Sequence, residues 1–369
     1  MSEIEGKQIG GMSVIDFLTA VVSSSVQIKV SDIHVRADSP VMIRVDGSIR
    51  AMKGSPILRA NDVELLVELM LGDQDPAEYL RTHQFDTAIA DKNGNRVRAN
   101  IYRQLGASAI VMRIIARDIP VPSELGLPAE VQKISSLENG LVIFSGATGS
   151  GKSTTMASLL NEINHTRRKH VLTIEDPVEF AFESDKCFFS QRQIGLDVPS
   201  FEEAMKAALR EDPDIILLGE MRDAVSIEIA LNAAETGHLV FSTLHAPTAA
   251  DAVTRMVSSF DGDAQATIRT KLAQNLKAVA TQRLIPKSTG GRISAFEVMT
   301  ITARVSELIL DPLRIKEIED LVKGGDTVEG MLHFDDHLMM LVQAGDIDKE
   351  VALQYASSVT DLGLKLEGF

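Results

Sequence analysis

The feature that most constrains this chain is a glycine-rich segment between an apolar stretch and a helical pattern. Leu141 to Phe144 is a short apolar run of the kind that forms a buried strand. It is followed by Gly146-Ala-Thr-Gly-Ser-Gly-Lys152-Ser153, and residues 154–164 then show the periodicity of a helix. A strand that leads through such a segment into a helix predicts a P-loop in an α/β fold with a mostly parallel sheet.

The chemistry of this loop follows from its residue types. Glycines let several backbone N–H groups converge on one point, and the helix N-terminus adds partial positive charge. Lys152 supplies a full charge, and the Ser153 hydroxyl is a predicted ligand of Mg²⁺. The residues predicted to hold nucleotide phosphates are Gly146, Ala147, Thr148, Gly149, Ser150, Gly151, Lys152, Ser153 and Thr154. ATP and Mg²⁺ are therefore the expected ligands.

Two groups of acids follow predicted strands further along the chain. Glu175, Asp176 and Glu179 come after the apolar run of residues 171–174, and Glu220 follows a second apolar run. Because the carboxyl ends of parallel strands meet at one edge of a sheet, both groups are predicted to lie beside the P-loop. Hydrolysis needs one carboxylate near the metal and another that orients or deprotonates water. A solvated acidic loop is the alternative for Asp176.

Two histidines bracket another apolar run. Gly237 is predicted to end a helix, so His238 opens the next strand and His245 closes it. His245 is thus expected at the catalytic edge, where an imidazole can bind phosphate oxygens or respond to their loss. His238 is a further candidate nucleotide-binding residue, with an ordinary surface or core histidine as the alternative.

The rest of the sequence predicts two domains. Residues 1–117 mix short alternating stretches with helical ones and predict a small α+β domain. Residues 118–128 contain three prolines and predict an extended linker. Residues 129–369 carry the P-loop and become helical in pattern from about Thr302, with breaks at Gly324-Gly325 and Gly345. Strands are predicted at residues 32–36, 41–45, 96–102, 141–144, 171–174, 214–218 and 238–244, a helix at 61–71, and tight turns at Asp46-Gly47 and Asn93-Gly94.

Composition excludes several classes of protein. The formal net charge of −15 disfavours a broad basic face, so we expect no nucleic acid as partner. No apolar run is long enough to span a bilayer, and residues 1–17 lack an apolar segment of signal length, which predicts a cytoplasmic protein without membrane insertion. The single cysteine, Cys187, excludes an intramolecular disulfide and a multi-cysteine zinc site within the chain.

Arginines of the first domain are candidates for a catalytic role. Arg96, Arg98 and Asn100 share one face of a predicted strand, and Arg113 lies on the next strand. Arginines supplied from outside a P-loop can stabilise the charge of a transferring phosphoryl group. Ordinary surface charge is the alternative.

Taken together, the motifs resemble those of the secretion ATPases and, among these, the retraction ATPases of type IV pili. The motifs that carry the resemblance are the P-loop of residues 146–154, an aspartate box at 173–180, a second acidic motif at 209–223, a histidine box at 237–245 and amino-terminal signatures at 31–34, 43–47 and 96–100. They occur in the family's order and cover nearly the whole chain.

The resemblance implies a PAS-like amino-terminal domain joined to a RecA-like ATPase domain, in a homohexamer that binds ATP between the two domains. It implies Glu179 as the general base and Glu220 as the acid near Mg²⁺, with Arg98 and Arg113 at the γ-phosphate. It also implies a cytoplasmic motor, peripheral at the inner membrane, that drives pilus retraction and twitching through an inner-membrane platform protein. A paralogous pilus ATPase is a further candidate partner.

Two details bear on the subgroup. Pilus-assembly ATPases usually carry a four-cysteine metal-binding insertion, which Cys187 alone cannot supply, so the retraction subgroup is favoured. Retraction ATPases often carry Ala-Ile-Arg-Asn-Leu-Ile near the carboxyl terminus, and this chain has Ser306 and Glu307 in place of Arg and Asn. The alternatives are therefore an accessory retraction ATPase, a type II or IVb secretion relative, and a ring-forming nucleotide-binding module that hydrolyses little.

Overall fold

The computed structural model describes residues 7–28, 30–45, 48–72, 77–115, 118–324 and 330–367. The chain divides into two units, Met1–Arg117 and Asp118–Phe369, each with its own hydrophobic core. The predicted turn at Asp46-Gly47 lies outside the described residues.

The first unit is built on a six-stranded antiparallel sheet. Its elements are β1 (Gln8–Ile9), β2 (Met12–Ser13), α1 (Val14–Gln27), β3 (Asp32–Arg36), β4 (Met42–Val45), β5 (Ser48–Ala51), α2 (Ala60–Leu71), α3 (Ala77–Thr82), β6 (Gln84–Ala90), β7 (Arg96–Gln104) and β8 (Ala107–Ile114). The strand order is β5-β4-β3-β8-β7-β6. Helices α1 and α2 bury their apolar stripes against alternate strand residues such as Ile33, Ile43 and Val97. The predicted α+β architecture of this unit is confirmed.

Local predictions in this unit agree with the structure at most positions. β3 spans the predicted residues. β4 begins one residue later than predicted, α2 begins one residue earlier, and β7 continues two residues beyond its predicted end. The turn at Asn93-Gly94 is present: Gly94 has φ +77°, and the Asp91 carboxylate accepts the backbone N–H groups of Asn93 (2.9 Å) and Asn95 (2.8 Å). Aspartate often closes turns in this way.

The second unit is built on a seven-stranded sheet in the order β11-β10-β12-β13-β9-β14-β15. The strands are β9 (Gly140–Ser145), β10 (His170–Glu175), β11 (Phe188–Gln193), β12 (Ile215–Leu218), β13 (Leu239–Leu244), β14 (Leu276–Pro286) and β15 (Arg292–Thr300). Every neighbouring pair is parallel except β14 and β15. The predicted α/β class with a mostly parallel sheet is confirmed.

Helices cover both faces of this sheet. They are α4 (Ala129–Gln132), a 3-10 helix (Lys133–Ser136), α5 (Lys152–Thr166), α6 (Phe201–Ala208), α7 (Ala224–Glu235), α8 (Ala249–Ser258), α9 (Gly262–Asn275), α10 (Ala303–Leu310), α11 (Glu317–Lys323), α12 (Phe334–Gln343), α13 (Lys349–Tyr355) and α14 (Val359–Glu367). Helix α5 packs on one face, and α6 to α11 pack on the other. Because both faces are covered, strands such as β9 and β13 are buried throughout and mostly apolar, which made them easy to predict.

Residues 118–128 differ from the predicted extended linker. They belong to the second unit and contain backbone hydrogen bonds typical of turns, such as that from the Leu127 N–H to the Pro122 carbonyl (3.1 Å). The Leu127 side chain is buried in the core beneath α5. The prolines therefore interrupt strand pairing, but this segment packs as part of the second unit.

The carboxyl-terminal helices α12, α13 and α14 pack on the β14–β15 hairpin around Phe334, Leu338 and Leu362. The predicted break at Gly345 is confirmed by its φ of +77°, and Gly324 ends α11, whereas Gly325 lies outside the described residues. Among the described residues, no helix is both long and apolar enough to cross a membrane.

One buried carboxylate fixes this helical group. Asp335 is 3% exposed, and its two oxygens accept the backbone N–H groups of Ser357 (2.7 Å) and Ser358 (2.9 Å) between α13 and α14. Such bonds from a carboxylate satisfy buried donors that would otherwise lack partners.

We expect Asp335→Asn to loosen α13 and α14, because an amide nitrogen cannot accept the second N–H. The expected loss is about 1–3 kcal/mol of local stability, measured by amide hydrogen exchange of residues 349–367. The matched control is Asp336→Asn, whose carboxylate bonds Lys365 and is more exposed. Equal exchange in the two variants would contradict this account.

Candidate active site

A cleft of about 900 Å³ opens at the carboxyl edge of the second unit's sheet. This is the size of a site for a small molecule. Its walls come from the loops after β9, β10, β12 and β13 and from the β14–β15 hairpin. The predicted residues that line it are Thr148, Gly149, Gly151, Lys152, Ser153, Thr154, Glu175, Asp176, Glu179, Glu220 and His245. Gly146, Ala147 and Ser150 belong to the same loop.

The P-loop backbone has a conformation that requires its glycines. Gly146, Gly149 and Gly151 have φ values of +134°, +76° and +90°. A Cβ atom on Gly146 would lie 2.4 Å from the carbonyl oxygen of Gln282, so no other residue fits there. Helix α5 begins at Lys152, which directs its free N–H groups into the loop. The loop has the form that cradles phosphate.

The Lys152 ammonium group lies within this loop. Its Nζ atom donates to the carbonyl oxygens of Gly146 (2.8 Å) and Ala147 (3.0 Å), and the residue is 8% exposed. Burial lowers the pKa of Lys152, while the negative charges of Glu220 and Glu179 oppose that shift. A buried cation held only by neutral carbonyls is a site for an anion.

His245 joins the P-loop to one of the acids. Its Nδ1 atom donates to the Gly146 carbonyl (3.0 Å), because a carbonyl oxygen can only accept. Its Nε2 atom lies 3.0 Å from Glu220 Oε1, and Arg222 donates to the other oxygen of Glu220 at 2.8 Å. The His245 ring therefore connects the start of the P-loop to Glu220.

The first group of acids divides into supporting and available carboxylates. Glu175 accepts the hydroxyl of Thr173 (2.7 Å) and, more weakly, the backbone N–H of Glu179 (3.5 Å). Burial raises the pKa of Glu175 to about 6, against these hydrogen bonds. Glu179 is exposed on the cleft wall. The carboxylates of this group that are exposed to a ligand are thus Asp176 and Glu179, and Glu175 supports the loop that carries them.

The donors in the cleft suit Mg²⁺ held together with a nucleotide. Among the described residues, no group of three or more His, Cys, Asp or Glu side chains could hold a metal ion alone. The Ser153 hydroxyl and the Glu220 carboxylate both line the cleft. Mg²⁺ is usually bound through one or two protein oxygens together with substrate phosphates and water, so these residues fit it.

Comparison with known proteins identifies the family. Residues 7–352 match the family described as type II/IV secretion system protein. The chain belongs to this family. It is 39% identical to the type IV pilus retraction ATPase PilT of Pseudomonas aeruginosa, over 92% of this chain and 98% of PilT. It is 35% identical to the type IV pilus ATPase PilU of the same organism, over 91% of this chain and 88% of PilU. A crystal structure of the pilus retraction motor PilT with bound ADP superposes with a TM-score of 0.85 at 34% identity, covering 94% of this chain and 99% of that one.

His238, which was also predicted to bind the nucleotide, does not line the cleft. His238 precedes β13, and its carbonyl accepts the N–H of Gly140 (2.9 Å) at the amino-terminal edge of the sheet. Its imidazole lies against the Ala233 carbonyl (2.9 Å) at the end of α7. The strand between His238 and the P-loop edge is roughly 20 Å long. His238 therefore lies at the sheet edge opposite its own P-loop, and its role in nucleotide binding stays a prediction.

The arginines of the first unit form a row on the sheet face opposite its core. Arg98 and Arg113 are directly paired across β7 and β8. Arg113 donates through Nε (2.9 Å) and Nη2 (2.7 Å) to one oxygen of Asp32, and Arg98 lies 3.8 Å from Asp86. Their role at a γ-phosphate stays a prediction.

Gln282 is a residue of the site that was not predicted from the sequence. It is 1% exposed on β14, accepts the hydroxyl of Thr155 (3.0 Å) and donates to Ser294 (2.8 Å). Through Thr155 it holds the first turn of α5, and its carbonyl contacts Gly146. The polar residues 281–283, which stand between apolar residues on both sides, are the signal that could have indicated it.

The raised pKa of Glu175 predicts a pH dependence of stability. Because the folded state favours the protonated carboxyl, the stability it contributes is complete below the unfolded pKa of about 4.5 and is lost as pH rises through about 6. Glu175→Gln removes this titration. Relative to the variant, the native chain should lose about 1 kcal/mol between pH 5 and pH 7.5 in denaturant unfolding.

The matched control for that measurement is Asp176→Asn, which removes an exposed carboxylate from the same loop. An equal pH dependence of both variants relative to the native chain would contradict burial of Glu175 as the cause.

Proposed function

We propose that this chain is the motor that hydrolyses ATP to drive retraction of type IV pili. One observation carries the proposal: Lys152, Glu179 and Glu220 line a single cleft beside a P-loop. The chain is an ATPase of the secretion family, and its relatives include one named for pilus retraction, which is 39% identical over nearly its full length.

Each part of the cleft has a role in hydrolysis. The P-loop N–H groups and Lys152 bind the phosphates, and the ADP bound by the similar motor PilT supports this role. Ser153 and Glu220 would hold Mg²⁺, which would supply positive charge beside the phosphate oxygens. Glu179 orients and deprotonates the attacking water, and its exposure leaves it free to do so. His245 then responds to the loss of the γ-phosphate through its bonds to Gly146 and Glu220.

A network of contacts leads from this site to the carboxyl-terminal helices. The Arg283 guanidinium donates to the Pro247 carbonyl (3.4 Å), two residues after His245, and to the Tyr355 carbonyl (3.2 Å) at the end of α13. It also lies 4.1 Å from the centre of the Phe334 ring on α12. The loop after His245 and these helices thus share one side chain, which supports a mechanical output through the helices.

The working assembly in this proposal is a homohexamer on the cytoplasmic side of the inner membrane. Arg98 and Arg113 complete the site at the γ-phosphate, and closure of the subunits acts on an inner-membrane platform protein. The accessory role remains the second candidate because of Ser306 and Glu307. Ser306 donates to the Ala273 carbonyl (3.0 Å), and Glu307 pairs with Arg304 (3.1 Å).

We expect Glu179→Gln to lower ATP turnover by roughly 10²- to 10⁴-fold while leaving ADP binding intact, because only the base is lost. Lys152→Ala should abolish both ATP turnover and ADP binding. The measurements are phosphate release and calorimetric ADP titration, with Glu183→Gln, an exposed carboxylate outside the cleft lining, as control. Equally negligible turnover in the native chain and both site variants would favour the ring-forming module.

The motor assignment is tested in cells that lack their pilus retraction ATPase. Expression of the native chain should remove excess surface pili and restore twitching, and expression of Glu179→Gln should not. An active ATPase that restores twitching only together with a retraction paralogue would assign the accessory role. No restoration by either route would count against a pilus function.

A further inference from the structure

The backbone that leads from His245 into α8 is held at three positions. The His245 carbonyl accepts a hydrogen bond from Arg255 on α8 (2.8 Å). The Ala249 N–H donates to Oε1 of Glu297 on β15 (2.7 Å). Between them, the Pro247 carbonyl accepts from a side chain of β14 (3.4 Å). One short segment is thus bonded to a helix and to two neighbouring strands.

Glu297 is the buried carboxylate of this group. It is 8% exposed and lies on β15 directly opposite Thr281 of β14. Burial raises the pKa of Glu297, while the bond from Ala249 and the positive charge of Arg283 oppose that shift. A buried carboxylate is costly unless it is hydrogen-bonded, so the bond to Ala249 offsets part of the cost of placing it there.

The bond from Glu297 ties the start of α8 to the sheet. Ala249 is the first residue of that helix, where an N–H group has no partner within the helix itself. A carboxylate is favoured at this end because of the helix dipole. The Thr248 hydroxyl accepts the N–H of Asp251 (3.1 Å), but this contact is local to α8. Glu297 therefore fixes where the helix begins relative to β15.

The same pair of strands also holds the start of the P-loop. The Thr281 hydroxyl lies 2.7 Å from that of Ser145, the residue before Gly146. Ala249, which Glu297 holds, is four residues after His245, and the His245 ring bonds the Gly146 carbonyl (3.0 Å). The directly paired residues Thr281 and Glu297 thus hold the two segments that meet in this bond.

We propose that Glu297 is a positioning residue for ATP hydrolysis that acts through His245. Glu297 does not line the cleft, so it has no direct contact with the nucleotide. By fixing the start of α8, it keeps the imidazole within reach of Gly146 and Glu220. This assignment rests on the proposed function of the cleft as a site of ATP hydrolysis.

The test separates turnover from nucleotide binding in the full chain. Glu297→Ala removes the acceptor, so it should lower kcat for ATP by about 10-fold, because a misplaced catalytic group slows the chemical step. The dissociation constant for ADP, measured by calorimetry, should stay within about twofold, because the P-loop is intact. Glu297→Gln keeps an oxygen that can accept the Ala249 N–H and should restore kcat to within about twofold of the native chain.

A double-mutant cycle with His245→Ala shows whether the effect passes through the histidine. His245→Ala alone should lower kcat. In that background, Glu297→Ala should cost no more than about a further twofold, because the group that it positions is already absent. A residue that only stabilises α8 would instead lower kcat by the same factor in both backgrounds.

The matched control is Glu319→Ala. Glu319 is an exposed carboxylate on α11 whose negative charge also acts on Glu297. Its removal changes the electrostatics around Glu297 but leaves the bond to Ala249, so kcat should match the native chain. A loss in Glu319→Ala equal to that in Glu297→Ala would assign the effect to charge and contradict a positioning role.

Other results would also overturn the inference. These are native turnover in Glu297→Ala or in His245→Ala, equal loss in the alanine and glutamine variants of Glu297, and ADP binding that weakens in proportion to kcat. Failure of the proposed function is distinct from all of these. It would appear as negligible ATP turnover in the native chain, before any variant is compared.

Discussion

The close approach of Gly146 to the Gln282 carbonyl is the contact on which the rest of the site depends. It brings the turn after β9 against β14 so closely that a single methyl group would force them apart. The Gln282 side chain fixes the first turn of α5 from the same position, so the direction of the loop and of the helix are set together. Lys152 and the free N–H groups then converge, and the other loops of the parallel sheet meet them at its carboxyl edge.

Much of this could be predicted from the sequence, for a physical reason. Strands that are buried on both faces have nearly continuous apolar sequences, so β9, β10, β12 and β13 could be predicted. The acids and His245 follow these strands, so they were expected to lie together at the carboxyl edge of the sheet. β14 and β15 were not found, because Thr281, Gln282 and Arg283 interrupt the apolar pattern in the middle of β14. β11 is an edge strand of mixed polarity and gave no pattern either. His238 and His245 looked alike in the sequence, but they stand at opposite ends of β13, and only His245 lines the cleft.

The carboxylates illustrate how environment separates residues that look alike in the sequence. Glu175 and Glu179 are four residues apart in one loop. The first is partly buried, which raises its pKa to about 6, whereas the second is exposed to the cleft. Only the fold distinguishes the supporting acid from the available one, since both have the same chemistry in an unfolded chain.

Gln282 and Arg283 are consecutive on β14 and therefore point to opposite faces. The first holds the P-loop, and the second holds the loop after His245 and the carboxyl-terminal helices. One strand thus links the P-loop to the carboxyl-terminal helices. By thermodynamic reciprocity, such a link acts in both directions. If a partner that binds α12–α14 changes the affinity for the nucleotide by some factor, the nucleotide changes the affinity for that partner by the same factor. A partner on those helices would then sense the nucleotide state of each subunit without touching its active site.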